Sequence, residues 1–296
     1  MTVLALVITS LCYFISNIYQ NKFSESLKGR RYPLPMFNGL WMVITAILLF
    51  VYKLFGGEFR FSGATLMIAA FSGVFIALSS MMLVLALGSG PMSLTILLFS
   101  VNSIIPTLLS VFVLSEKITI FQVIGMLLIL LVCILVNLNK GDLGLKIEKR
   151  WFLYTLLALV FTGANGFCTK LHQTKLPNLE QIEYSIVLFT CGALIEIIFF
   201  VFLHWKDKLK KKERYVCSFS YFYLPIVIIA IVQGVAMLCI LYNSSRIPAV
   251  ILFPVMQLII LMMTTVFSIV KLGERPKKKT VYCMVLGMVA ILFMNF

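Results

Sequence analysis

Asn102, Gln233 and Gln257 are carboxamides set inside apolar runs, and Glu196 is a carboxyl set in another, CGALIEIIFFVFLHW. A carboxamide both donates and accepts hydrogen bonds, so amides gathered at one level can hold a polar solute. A lone carboxyl can take up and release a proton, or meet a cation. The other chemistries need patterns that this chain does not carry. Its two histidines, His172 and His204, stand far apart at the ends of apolar runs. There is no HExxH, GxSxG, Walker A or repeated aspartate motif, and no Cys, His and carboxylate cluster with metal-ligand spacing. The seven cysteines show no CxxC spacing and read as small buried hydrophobes. Neither an enzyme, a metal nor a cofactor is expected.

Something must hold those four side chains in place, and composition says what. Of 296 residues, 61% are hydrophobic and 12% charged, against about half and a quarter in a soluble domain. The mean hydropathy is +1.05. Lipid is the natural solvent for that much apolar surface. Ten segments approach the roughly 20 apolar residues of a membrane helix. They are Val3–Gln20, Leu34–Phe55, Ala64–Leu87, Met92–Leu114, Ile118–Leu138, Trp151–Thr169, Ile182–Leu203, Tyr221–Leu241, Ala249–Val270 and Thr280–Phe296. The first has no basic leader and no A-x-A site, so it reads as a retained span. The expected fold is an all-α polytopic membrane protein of ten transmembrane helices.

The ten spans divide in two. LSEKITIFQVIG and LGERPKKKTVYC place Glu116–Lys117 and Glu274–Arg275 at the same kind of corner, 158 residues apart. In that register Val123 falls on Val281, Met126 on Met284, Leu128 on Leu286 and Asn137 on Asn295. Two five-span repeats, residues 1–140 and 151–296, are the simplest account. Five is odd, so the second enters the membrane inverted, an arrangement suited to alternating access. Helical rise then sets depth. Asn102 lies about 15 Å from one face with Tyr13 near its level, and Gln233 and Gln257 lie at about 18 Å. Gln257 continues as a stripe through Leu261, Thr264 and Ser268. The sixth span shows Thr155, Thr162, Asn165 and Thr169, with Gly163 and Gly166 for close approach. Asn102, Gln233, Gln257, Tyr13 and Asn165 are the candidate substrate-binding residues. The bland alternative is interhelical hydrogen bonding, worth about 0.6 kcal/mol per pair.

Glu196 is the one acid well inside a span, about 12 Å from its end. A charge at that depth costs on the order of 3 kcal/mol, so Glu196 is the proton-coupling candidate. A neutral acid bonded to a neighbouring helix is the alternative. Lys170 is not expected to pair with it, because antiparallel spans would separate the two by nearly 20 Å along the axis.

The stretch PMSLTILLFSVNSIIPTLLSVFVLSEKITIFQVIGMLLILLVCILVN and its second-half counterpart from Arg246 resemble the drug/metabolite transporter superfamily, EamA type. The layout is similar over all ten spans, and the motifs match over spans 3–5 and 8–10. The second half departs where Cys283 stands for Gly125. The resemblance implies a secondary transporter of a small metabolite or drug-like solute, with the E-K/R corners structural. Two alternatives stand beside it: a flippase for lipid-linked precursors, and a membrane sensor or structural protein without flux. Small multidrug resistance proteins look like half of this fold and carry a glutamate eight residues before a lysine. Here Lys22 looks back on Phe14 and Lys170 on Thr162, so that site is not carried over.

The formal charge of +14 arises almost wholly between apolar runs, which points to anionic lipid rather than nucleic acid. The partners expected are the bilayer and a small-molecule substrate; the oligomeric state is not legible. Nineteen of the 25 bases fall on the side of the loops after spans 1, 3, 5, 7 and 9. The positive-inside rule makes that side cytoplasmic and places both termini outside the cell membrane, whereas superfamily members commonly have cytoplasmic termini. An export-requiring reporter fused after Phe296 is therefore expected to be active. A fluorescent protein that matures only in the cytoplasm and lights up there would reverse the assignment.

Overall fold

The computed structural model describes residues 2–26, 33–56, 58–116, 119–121, 123–125, 127–128, 131, 149–209, 223–271 and 278–293. Its long elements are α1 (Thr2–Ser26), α2 (Pro33–Gly56) and α3 (Gly63–Leu87). Then come α4 (Met92–Phe99), a 3-10 turn (Ser100–Ser103) and α5 (Ile104–Leu114), which continue one another. The second half holds α6 (Lys149–Lys175), α7 (Gln181–Leu209), α8 (Tyr223–Ser244), α9 (Ala249–Lys271) and α10 (Lys278–Phe293). No strand occurs among the described residues. Among the described residues eight spans are long and apolar enough to cross a membrane, counting α4 to α5 as one. Of the remaining two expected spans, the fifth lies mostly outside the described residues, and α10 contributes 16.

Local chemistry sets the helix ends. Ser62 caps α3 by accepting from Thr65 N at 3.2 Å. Pro91 and Pro248, which have no N–H to give to a helix interior, stand just before α4 and α9. Pro106 removes the hydrogen bond that the Asn102 carbonyl would otherwise receive, and the helix tightens into the 3-10 turn there. Pro254 comes early in α9, and the helix runs on through it.

The bundle is apolar outside and polar within. Phe71, Phe112, Ile198 and Val266 face outward, more than half exposed, as lipid contact allows. Asn38, Thr45, Ser72, Asn102 and Thr264 are buried. Packing pairs match between the halves: α3 lies on α6 as α8 lies on α1, and α3 on α7 as α8 on α2. Helix α2 runs antiparallel to its counterpart α7. Lys53 Nζ meets Glu183 Oε1 at 2.8 Å toward one end, and Asn38 Nδ2 donates to Glu196 Oε1 at 3.1 Å toward the other.

Helix α3 crosses α7 at backbone contact. A Cβ on Gly73 would stand 2.7 Å from the Leu188 carbonyl oxygen and 3.0 Å from Gly192 N. Backbone cannot yield as a side chain can. Gly73→Ala is therefore expected to lower stability by about 1–3 kcal/mol. Gly63→Ala, where a Cβ meets nothing within 4 Å, is the control. Melting both in detergent checks this, and equal melting temperatures would be the contrary result.

Candidate functional site

The middle of the bundle holds a cavity of about 100 Å³ walled by α1, α2, α3, α4, the 3-10 turn, α5, α6, α8 and α9. All five amide and phenol candidates, Tyr13, Asn102, Asn165, Gln233 and Gln257, border it. Gln257 Nε2 donates to Asn102 Oδ1 at 3.2 Å, so two of the expected layer meet directly. Gln233 turns elsewhere and donates to Ser16 Oγ at 3.0 Å. Asn165 Oδ1 accepts from Ser72 Oγ, which in turn accepts from Tyr184 Oη at 2.8 Å. That fixes the amide plane of Asn165 and leaves its nitrogen for the cavity.

Several lining residues were not anticipated. Asn17 and Gln20 follow Tyr13 at intervals of four and three, one face of α1. That spacing was readable; only Tyr13 was taken from it. Ser79 and Ser80 on α3 and Trp41 on α2 also border the cavity, and Ser79 is bonded to Thr162 across the α3–α6 contact. Nothing in an apolar run containing a serine pair announces that role.

Glu196 does not border the cavity but stands one residue behind it. It is fully buried; Oε1 accepts from Asn38 Nδ2 at 3.1 Å and Ser80 Oγ at 3.2 Å, and Oε2 has no partner. Ser80 borders the cavity, and so does Trp41, whose Nε1 donates to Asn38 Oδ1 at 3.4 Å. The carboxyl is thus linked to the cavity by two short polar relays.

The corner glutamate, for which the resemblance implies a structural role, bonds across the bundle. Ser115 takes a left-handed conformation, φ 55°, and turns Glu116 back over the bundle. Glu116 Oε1 pairs with Lys170 Nζ at 3.1 Å, and Oε2 accepts from Ala249 N at 2.9 Å. Lys170 also donates to the Ser244 and Ile247 carbonyls at 3.0 and 2.9 Å. An anion therefore sits at the N-terminus of α9 and a cation at the C-terminus of α8, each complementing a helix dipole. Lys117, Glu274 and Arg275 lie outside the described residues.

The same end of the bundle is tied a second time. Glu180 accepts from Ser62 N at 3.0 Å, from Ser62 Oγ at 2.8 Å and from Thr65 Oγ1. Burial works against its charge, but the bonds from Thr65 and Ser62 outweigh it and hold the carboxyl below its ordinary value. This tie is complete above the ordinary carboxylate pKa and is lost as pH falls through the lowered one. Elsewhere, a hollow of about 490 Å³ between α1 and α9 opens sideways toward lipid, walled by Phe14, Met263 and Phe267 with Lys271 at its end.

With this geometry in view, the EamA-like transporter family matches twice, over residues 1–138 and 149–296. The chain belongs to the EamA-like transporter family. It is a multi-pass membrane protein, and membership points to transport rather than to catalysis. No curated protein matches its sequence. A solved structure described as "Crystal structure of protein" superposes with a TM-score of 0.62. It is 14% identical, with 97% of this chain and 96% of that one covered, so the likeness is one of fold.

The Glu116–Lys170 pair carries its own prediction. Lys170→Met leaves a carboxylate, only 17% exposed, without its cation and is expected to cost about 3 kcal/mol. Adding Glu116→Gln removes the orphaned charge, so the double variant should melt above the Lys170→Met single. If the two losses simply add, the pair is not coupled.

Proposed function

We propose that this protein is a secondary transporter that carries a small solute across the cell membrane by alternating access of its two halves. The observation that carries the reading is the central cavity, polar, enclosed in an apolar-faced bundle and walled by helices of both halves. The antiparallel α2–α7 pair supports inversion of the repeats. A bundle that only senses or scaffolds has no need of such a void. The Glu116–Lys170 and Glu180 ties close the face that the charge count places outside. Lys22, near the far end of α1 as Lys170 is near the far end of α6, is exposed and lies over the Tyr19 ring at 5.5 Å. One face is latched, and opening it requires Lys170 to give up three oxygens. The sideways hollow favours a second reading, flipping of a lipid-linked molecule, through its apolar wall and terminal Lys271. Phe14 and Phe267, in edge contact at 5.8 Å, form part of its wall.

Glu196 supplies the coupling. Its Oε1 is held by two neutral donors while Oε2 is left to take or give a proton, and Ser80 relays the change to the cavity wall.

A thermal-shift screen of metabolite pools supplies a solute, since a ligand of the folded state raises its melting point. Counterflow in proteoliposomes then tests the site. Asn102→Leu and Gln257→Leu are expected to slow transport about tenfold or more while the protein stays folded. Normal transport by both would reduce the amides to helix glue. Glu196→Gln should still equilibrate the solute yet no longer concentrate it when a pH gradient is imposed. Unchanged gradient-driven accumulation would remove Glu196 from coupling.

A further inference from the structure

The cavity wall has a character that the transport reading does not require. Among the described residues its lining contains six amides, from Asn17 to Gln257, and several hydroxyls, but no Lys, Arg, His, Asp or Glu. Lys170, the nearest buried cation along α6, spends its three protons on Glu116 and two carbonyls. An anion entering this space would lose its water and gain no counter-charge from the lining.

Two amides are also incompletely used. Gln20 is 3% exposed; its Nε2 donates to Ser16 Oγ at 3.0 Å, and its Oε1 has no partner. Asn102 is 3% exposed; its Oδ1 accepts from Gln257, and its Nδ2 has no partner. Turning either amide over exchanges the atoms without curing the deficit, because only one end of each has a neighbour. A buried polar atom left unbonded keeps its desolvation cost uncompensated. Both residues border the cavity at different depths, so the unmet groups lie along one path. The flat apolar faces of Trp41, Phe99 and Phe253 line the same cavity. The volume of about 100 Å³ is below the several hundred of a drug-sized site.

We infer that the cavity selects a small, uncharged solute bearing a carboxamide or lactam, whose carbonyl accepts from Asn102 Nδ2 and whose N–H donates to Gln20 Oε1. This rests on the transporter reading for its physiological meaning, though binding can be measured without flux. The probes are two neutral compounds and their charged relatives: nicotinamide against nicotinate, and uracil against orotate. Melting curves and calorimetric titration of the intact protein in detergent should show binding by at least one neutral member and by neither carboxylate. Asn102→Leu and Gln20→Leu should each raise its Kd about tenfold. Comparison within the wild-type protein stands even where a variant fails to fold. A carboxylate that binds as tightly as its neutral relative overturns the inference, as does the failure of both neutral compounds at millimolar concentration. Binding of the amide without counterflow would end the transport reading and leave the solute class standing; counterflow of nicotinate or orotate without binding of the amides would do the reverse.

Discussion

Hydrocarbon offers no hydrogen bond, and that constraint orders this bundle. A backbone surrounded by lipid must satisfy itself, so the spans are helices. A polar side chain must find a partner inside, and most do so by returning to their own helix: Thr45 to the Trp41 carbonyl, Thr107 to Ser103, Thr155 to Trp151. What remains after such local bonding is the informative set. Glu196, Gln20, Asn102 and the Glu116–Lys170 pair cannot be satisfied within a turn, and each bonds between helices or is left with an unpartnered atom.

Those interhelical bonds join the two halves. Asn38 and Ser80 of the first half hold Glu196 of the second, and Asn102 holds Gln257. Glu116 of the first half holds Lys170 and Ala249 of the second. Because α2 and α7 are antiparallel, Asn38–Glu196 and Lys53–Glu183 tie opposite ends of the same helix pair. Glu116–Lys170 ties a third place, where the chain leaving α5 meets α6 and the start of α9.

The sequence disclosed the helical membrane class and the membership of the cavity lining more fully than it disclosed the bonds. Apolar runs of span length mark the helices directly, and the depth of Asn102, Gln233 and Gln257 follows from rise alone. Rise fixes level but not rotation. That is why Gln233 was placed with Asn102 yet bonds to Ser16. The bonds of Glu116 were not legible for another reason. Nothing in the sequence announces the left-handed turn at Ser115, and the partner of Glu116 lies 54 residues away on another helix. Glu196 was legible because a carboxyl in such a run has no innocent local bond to make. The tightening at Ser100–Ser103 was half legible, since Pro106 announces which carbonyl loses its donor.

A wall of amides also suits a site that must exist both empty and full. A carboxylate or ammonium facing an empty low-dielectric cavity keeps its whole desolvation penalty until a counter-ion arrives. Amides can instead bond to one another and bear a smaller deficit: Gln257 rests on Asn102, while Gln20 and Gln233 share Ser16. In the transport proposed above, an entering solute would take the place of such a neighbour at little net change in bonding, and the difference between empty and occupied states would stay small. The larger charge terms, Glu116–Lys170 and Glu196 behind Ser80, are kept out of the lining, so neither adds its desolvation cost to the cavity wall.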